Sequence, residues 1–204
     1  MLRAKIAVLA SGGGTNLQAL IDAEKSGILK SGEIVLVISN KADAYALTRA
    51  QKAGIETAAI TVQACGSRQK AEQSMLSFLQ ARGIDLVILA GFMMILSEQF
   101  VRQYPNRILN VHPSLIPSFC GEGFYGLRVH RAALDYGVKV TGATVHFVNE
   151  ITDGGKIVMQ KAVEVKEGDT PELLQKRVME EAEWVILPAA AEKIAKEIIG
   201  ERIS

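Results

Sequence analysis

At 204 residues the chain is long enough for one sizeable core and short for two, so a single domain spanning 1–204 is expected. With 49% apolar and 22% charged residues, the composition excludes a disordered or disulfide-stapled chain. Lys and Arg total 23 against 22 Asp and Glu, leaving a formal charge of +1 without the basic footprint that duplex nucleic acid demands, and no run reaches the roughly 20 apolar residues that cross a bilayer.

Residues 1–10 are apolar, but the run is short and flows into a glycine turn without a cleavage segment, so Ala4 to Ala10 reads as a first strand rather than a leader. The helical pattern from Asn16 to about Ser26 separates it from a second apolar run, Glu33 to Ser39. A strand near Thr57 to Ile60, a helix from Arg68 to Arg82 and the apolar strand Asp85 to Leu89 continue the alternation. Continuously apolar strands are buried on both faces, and right-handed crossovers place helices on both sides. The expected class is therefore α/β, an open, doubly wound, mostly parallel sheet. Arg107 to His112 is a further strand. Val140 to Val148 and Gly155 to Ala162 follow as strands with no helix between them, so the C-terminal part of the sheet becomes mixed. From Pro171 to about Ile199 the pattern is helical, with Thr170 as N-cap, Pro171 in the first turn and Pro188 as an expected kink or break.

Three segments carry polar residues that chemistry could use. Ser11-Gly12-Gly13-Gly14-Thr15-Asn16 joins the first strand to the first helix, where glycines aim backbone amides at an anion; a tight turn without a ligand is the alternative. It lacks the Lys-Ser/Thr of a P-loop and the third glycine of a dinucleotide fingerprint. Strand alternation sends Asn110 and His112 to one face, at a carboxyl edge where such sheets bind ligands, or where a strand end merely satisfies a histidine. Asp153, in an Asp-Gly-Gly loop, is either a turn residue or a carboxylate that orients an imidazole and raises its basicity. His146 is a candidate supporting residue on its strand, and His130, in a helix, reads as structural or surface. Cys65 and Cys120 stand apart from each other and from any ligand set, which fits a reducing cytoplasm and no metal site.

In order along the chain, VLASGGGTNLQAL, VISNKADAYALTRA, LAGFMMIL, ILNVHPSLIPSF, TGATVHFVNEITDGGKIVMQ and AEWVILP closely resemble the folate-dependent formyltransferase family, in its branch acting on a small ribonucleotide amine. The resemblance implies transfer of the formyl group of 10-formyltetrahydrofolate to the amine of 5-phosphoribosylglycinamide, with no metal and no covalent intermediate. It implies a phosphate-binding half of about 1–100 and a catalytic, folate-binding half of about 101–204. Asn110, His112 and Asp153 would be the catalytic trio, with Asp153 keeping His112 protonated. Gly14, Thr15 and Asn16 would hold the phosphate, and Glu183 the ribose, with Glu180, Glu181 and Ala182 lining the same edge. Met93, Met94, Ile95 and Leu96, together with Asn149, Glu150, Ile151, Thr152 and Asp153, would enclose the pterin, Asn110 would touch the folate, and Arg68 would face its acidic tail. Met94 stands where many relatives carry arginine, so backbone contacts would serve there, and Cys120 to Leu127 departs from the family's shorter turn. The expected partners are folate and ribonucleotide, with the protein a cytoplasmic monomer or homodimer. A transfer-RNA formyltransferase and a formyl-folate deformylase are the rivals within this chemistry, each carrying an added domain this chain is not expected to have. A nicotinamide oxidoreductase and a non-catalytic nucleotide-binding module are the rivals outside it.

Overall fold

A computed structural model describes residues 2–203, so the ends of the expected 1–204 unit lie outside the described residues. The elements are β1 (Ala4–Ala10), α1 (Thr15–Ser26), β2 (Gly32–Ser39), α2 (Tyr45–Lys52), β3 (Glu56–Ala59), α3 (Val62–Cys65), α4 (Arg68–Ala81), β4 (Leu86–Leu89) and α5 (Glu98–Val101). The chain continues through β5 (Ile108–His112), α6 (Leu127–Tyr136), β6 (Val140–Phe147), β7 (Ile157–Glu164), α7 (Pro171–Val178), a π-turn (Met179–Glu183) and α8 (Trp184–Ile203).

The strands form one sheet in the order β3-β2-β1-β4-β5-β6-β7. The pairings from β3 to β5 are parallel, while β5 with β6 and β6 with β7 are antiparallel, which is the mixed α/β sheet the pattern predicts. Alternation along β1 divides the core. Ile6 and Val8 join the layer packed by α1 and α8, whereas Ala7 and Leu9 join the layer that holds Met75 and Leu79 of α4. Each of the larger ones, Ile6, Val8, Leu9, Met75 and Leu79, contributes about 1.5–3 kcal/mol when fully buried.

Capping fixes where the helices begin. The Ser67 hydroxyl accepts the Lys70 amide at 3.2 Å to start α4, and Thr170 accepts the Leu173 amide at 3.3 Å to start α7. The expected break at Pro188 does not occur, for α8 runs through it. The bond that Pro188 cannot make would have gone to the carbonyl of Trp184, where α8 begins, so the loss falls at a junction already rearranged by the π-turn. α2 is a helix the apolar pattern did not mark; its buried residues Ala46, Leu47 and Ala50 are mostly small, and no side chain caps its start.

Candidate active site

Between β1 and β4 the strand order reverses, and the chain leaves the carboxyl ends of these strands in opposite directions, opening the crevice in which sheets of this kind bind ligands. A cleft of about 370 Å³ lies there. Its floor is the end of β5. Asn110 and His112 share one face of that strand, and Asn110 is the antiparallel register partner of His146 on β6. The pairing brings Asn110 Nδ2 to 3.3 Å from His146 Nε2.

Asp153 completes the group from the β6–β7 connection. Its Oδ2 lies 3.5 Å from His112 Nδ1 and its Oδ1 lies 3.6 Å from His146 Nε2, while the Gly121 amide donates to Oδ2 at 2.9 Å. The connection is tightly folded: Phe147 donates its amide to the Lys156 carbonyl at 2.9 Å, Ile151 donates to Asn149 Oδ1 at 3.0 Å, and Asp153 has a left-handed φ of 55°. Gly155 is where this fold admits no side chain, since a Cβ there would lie 1.7 Å from the Phe147 carbonyl oxygen.

Hydrogen bonding assigns the protons. A carbonyl only accepts, so His112 Nε2, 2.8 Å from the Phe119 oxygen, carries hydrogen, and a second proton would enter at Nδ1 facing Asp153. By the same reasoning His146 donates from Nδ1 to its own strand's Phe147 oxygen at 2.8 Å, leaving Nε2 to accept from Asn110. One of the two Asn110 N–H bonds is thereby used. Burial lowers the His112 pKa; Asp153 and the Phe119 carbonyl pull it back up, and His146 adds to the lowering. The net shift is downward, which corrects the expectation that Asp153 keeps His112 protonated: in this buried position desolvation outweighs the carboxylate. For Asp153, burial alone would raise the pKa, but the Gly121 amide and any proton that the His146 and His112 rings present to the carboxylate hold it below the usual carboxylate value.

The two ends of the cleft differ in chemistry. At one, Asn16 in the first turn of α1 donates through Nδ2 to Glu183 Oε2 at 2.6 Å, and its own Oδ1 is buried without a partner. Burial raises the Glu183 pKa, with the Asn16 bond opposing. At the other, Met93, Met94, Ile95 and Leu96 line one wall, facing Asn149, Glu150, Thr152 and Asp153. Met94 packs against the core beneath this wall. The Ser11 hydroxyl fixes the start of this wall, donating to Asn40 Oδ1 at 2.6 Å and accepting the Met93 amide at 2.8 Å.

Not every expected residue reaches the cleft. Gly14 and Thr15 stand at the start of α1, outside the lining, although their backbone adjoins Asn16. Glu180 and Glu181 point to solvent and Ala182 is buried in the core, because the π-turn directs Met179 and Glu183 inward instead. Ile151 is 63% exposed at the rim. Arg68 starts α4, donates to the Ile95 carbonyl and sits 3.4 Å from Glu72, beside the cleft rather than in it. Other lining residues were not anticipated: Phe124 and Tyr125 from the segment before α6, and Gln175 and Met179, whose i, i+4 spacing with Glu183 was the available signal. His130 is not the surface residue that one of its two readings made it. It is buried, lines the cleft, has no hydrogen-bond partner on either ring nitrogen, and is driven by burial and by His112 to a pKa of about 4. Among the described residues no three His, Cys, Asp or Glu side chains are grouped to hold a metal ion, and no helix is long and apolar enough to cross a membrane.

The family model described as formyl transferase matches residues 4–190. The chain is 47% identical, over 95% of its length, to the trifunctional purine biosynthetic protein adenosine-3 of Gallus gallus, but spans only 18% of that protein. It is 44% identical to the phosphoribosylglycinamide formyltransferase of Escherichia coli (strain K12), over 85% of this chain and 79% of that one. The crystal structure of glycinamide ribonucleotide transformylase 1 from Symbiobacterium toebii superposes with a TM-score of 0.89 at 45% identity, covering 96% of this chain and 89% of the other.

Proposed function

The chain belongs to the formyl transferase family, and from that premise we propose that it transfers the formyl group of 10-formyltetrahydrofolate to the amine of 5-phosphoribosylglycinamide, giving the N-formyl product and tetrahydrofolate. The observation that carries this reading is the placement of Asp153 within 3.6 Å of both His112 and His146, with Asn110 3.3 Å from His146, in a cleft also lined by Asn16 and Glu183 and by Met93 to Leu96.

The Asn16 and Glu183 end suits a sugar phosphate. Glu183 accepts ribose hydroxyls, and the first-turn amides of α1, which have no intrahelical carbonyl to pair with, face the phosphate. The apolar wall of Met93 to Leu96 and the loop of Asn149 to Asp153 receive the pterin, and Arg68 at the adjoining rim offers a cation to the folate's acidic tail. The two substrates then meet above Asn110 and His112.

Attack of the amine on the formyl carbon makes a tetrahedral intermediate with a negative oxygen. Asn110 holds that oxygen with the N–H that His146 does not use, and His112 donates from Nε2, exchanging the Phe119 carbonyl for the new acceptor. Each such donor is worth about 3 kcal/mol at the transition state. Negative charge beside the ring offsets its desolvation, so protonation of Nδ1 against Asp153 becomes favourable as the reaction proceeds. The Asp153–His112 pair passes the amine's proton to the departing folate nitrogen, directly or through water. Two free cysteines, Cys65 and Cys120, accord with action in the cytoplasm.

The test is a folate-absorbance assay with phosphoribosylglycinamide, repeated with water as the only acceptor. Release of tetrahydrofolate that requires the amine supports transfer; equal release without it would mean hydrolysis.

A further inference from the structure

Helix α2 grips the glycine loop from behind. The Ala46 amide donates to the Gly12 carbonyl at 3.0 Å, and Arg49 Nε donates to the Gly13 carbonyl at 2.8 Å. Arg49 is itself held in place: Nη1 donates to Gln18 Oε1 at 3.1 Å, and the guanidinium lies 5.0 Å from the centre of the Tyr45 ring. Packing between loop and helix is close enough that a Cβ on Gly14, whose φ is 72°, would come within 2.8 Å of the Ala46 backbone.

Peptide geometry turns these two contacts into a consequence on the opposite side. Both peptide units are trans, so each carbonyl and the N–H of the following residue point in opposite directions. With the Gly12 oxygen fixed on α2, the Gly13 N–H faces away from α2; with the Gly13 oxygen fixed on Arg49, so does the Gly14 N–H. Successive amides turned to one side, ending in a left-handed residue, form a concavity that binds anions. Asn16 gives an independent pointer to a ligand beside it: the residue is buried, lines the cleft, and has an Oδ1 with no partner.

We propose that Arg49 is a positioning residue for the acceptor's phosphate, holding the Gly13–Gly14 peptide so that its amide faces the anion and placing a permanent cation behind the loop. The inference rests on the reading of the acceptor as a phosphorylated ribonucleotide. It gives α2 a part in recognition, although none of its residues lines the cleft.

The test is Arg49→Met, which keeps the stem over Tyr45 while removing donor and charge, assayed with phosphoribosylglycinamide and with the nucleoside lacking the 5′-phosphate. The Michaelis constant for the phosphorylated acceptor is expected to rise about tenfold, the effect of losing one charge-assisted hydrogen bond, with the folate constant and saturated turnover within twofold. With the nucleoside, kcat/KM should match that of the unaltered protein, and Arg49→Lys, which restores charge and one donor, should recover part of the loss. An unchanged preference for phosphate in Arg49→Met, or an equal loss with both acceptors, would overturn the inference while leaving the proposed function standing. If the unaltered protein itself fails to prefer the phosphorylated acceptor, the reading beneath it falls too.

Discussion

The side-chain amide of Asn16 donates to the Glu183 carboxylate across 2.6 Å, joining the first turn of α1 to the end of the π-turn 167 positions along the chain. Replacing either end by an apolar side chain would leave the other buried and unpaired. Burial makes ionised Glu183 costly: its pKa is raised in the fold, so the stability contributed by the protonated form is lost as pH rises through that raised value. Glu183→Gln should therefore unfold at no lower urea concentration than the unaltered protein at pH 7. Its Michaelis constant for the ribonucleotide should nevertheless rise about tenfold, with the folate constant unchanged. Equal effects on both constants would remove Glu183 from the acceptor site.

His112 should titrate below 6.5 in the folded protein, because burial outweighs the pull of Asp153. Asp153→Asn removes an upward influence, so the midpoint should fall further. Proton NMR of the ring, assigned by comparison with His112→Ala, reads both values. A midpoint that rises in Asp153→Asn would contradict the electrostatic role given to the carboxylate.

His130 gives stability a dependence on acid. Its folded pKa of about 4 lies below the ordinary 6.5, so the benefit of burying it neutral is complete above pH 6.5 and is lost as pH falls toward 4. Between pH 7 and pH 5 that loss is about 2 kcal/mol. His130→Leu, which trades an unpartnered ring for an apolar side chain, should lose correspondingly less over the same interval in urea titrations. Identical losses in the two proteins would show that His130 does not set this dependence.

Gly155→Ala should cost about 3 kcal/mol or more, since its Cβ would occupy the place of the Phe147 carbonyl oxygen and must spread the β6–β7 connection that carries Asp153. Denaturant unfolding and turnover should both suffer. Normal values for both would mean that the loop accepts another path.

Much of this arrangement was legible in the sequence. Ala4 to Ala10, as an apolar run, and Arg107 to His112 read as strands, and strand alternation alone puts Asn110 and His112 on one face. Asp153 lies 41 positions beyond His112, and only the antiparallel return of β6 and the left-handed turn after it bring the two together. Helix α2 escaped notice because Ala46 and Ala50 bury little surface and leave a weak apolar signal. The inward turn of Glu183 follows the i, i+4 spacing it shares with Gln175 and Met179, whereas the π-turn that carries it leaves no mark on the helical pattern of Pro171 to Ile199. The burial of His130 was hidden for a related reason: the segment before α6 has no regular pattern, so nothing in it indicated which face of that helix closes the cleft.

Formyl transfer by Asp153→Asn, measured beside the dissociation constants of both substrates, tests the central claim most directly. The variant keeps the shape of the side chain and loses the charge beside His112. Turnover with 10-formyltetrahydrofolate and phosphoribosylglycinamide should fall by a factor on the order of a hundred or more, while both dissociation constants, by calorimetric titration, stay within severalfold of the unaltered protein's. Near-normal turnover in a variant whose circular dichroism is unchanged would contradict the account and reduce Asp153 to a residue that only shapes its turn.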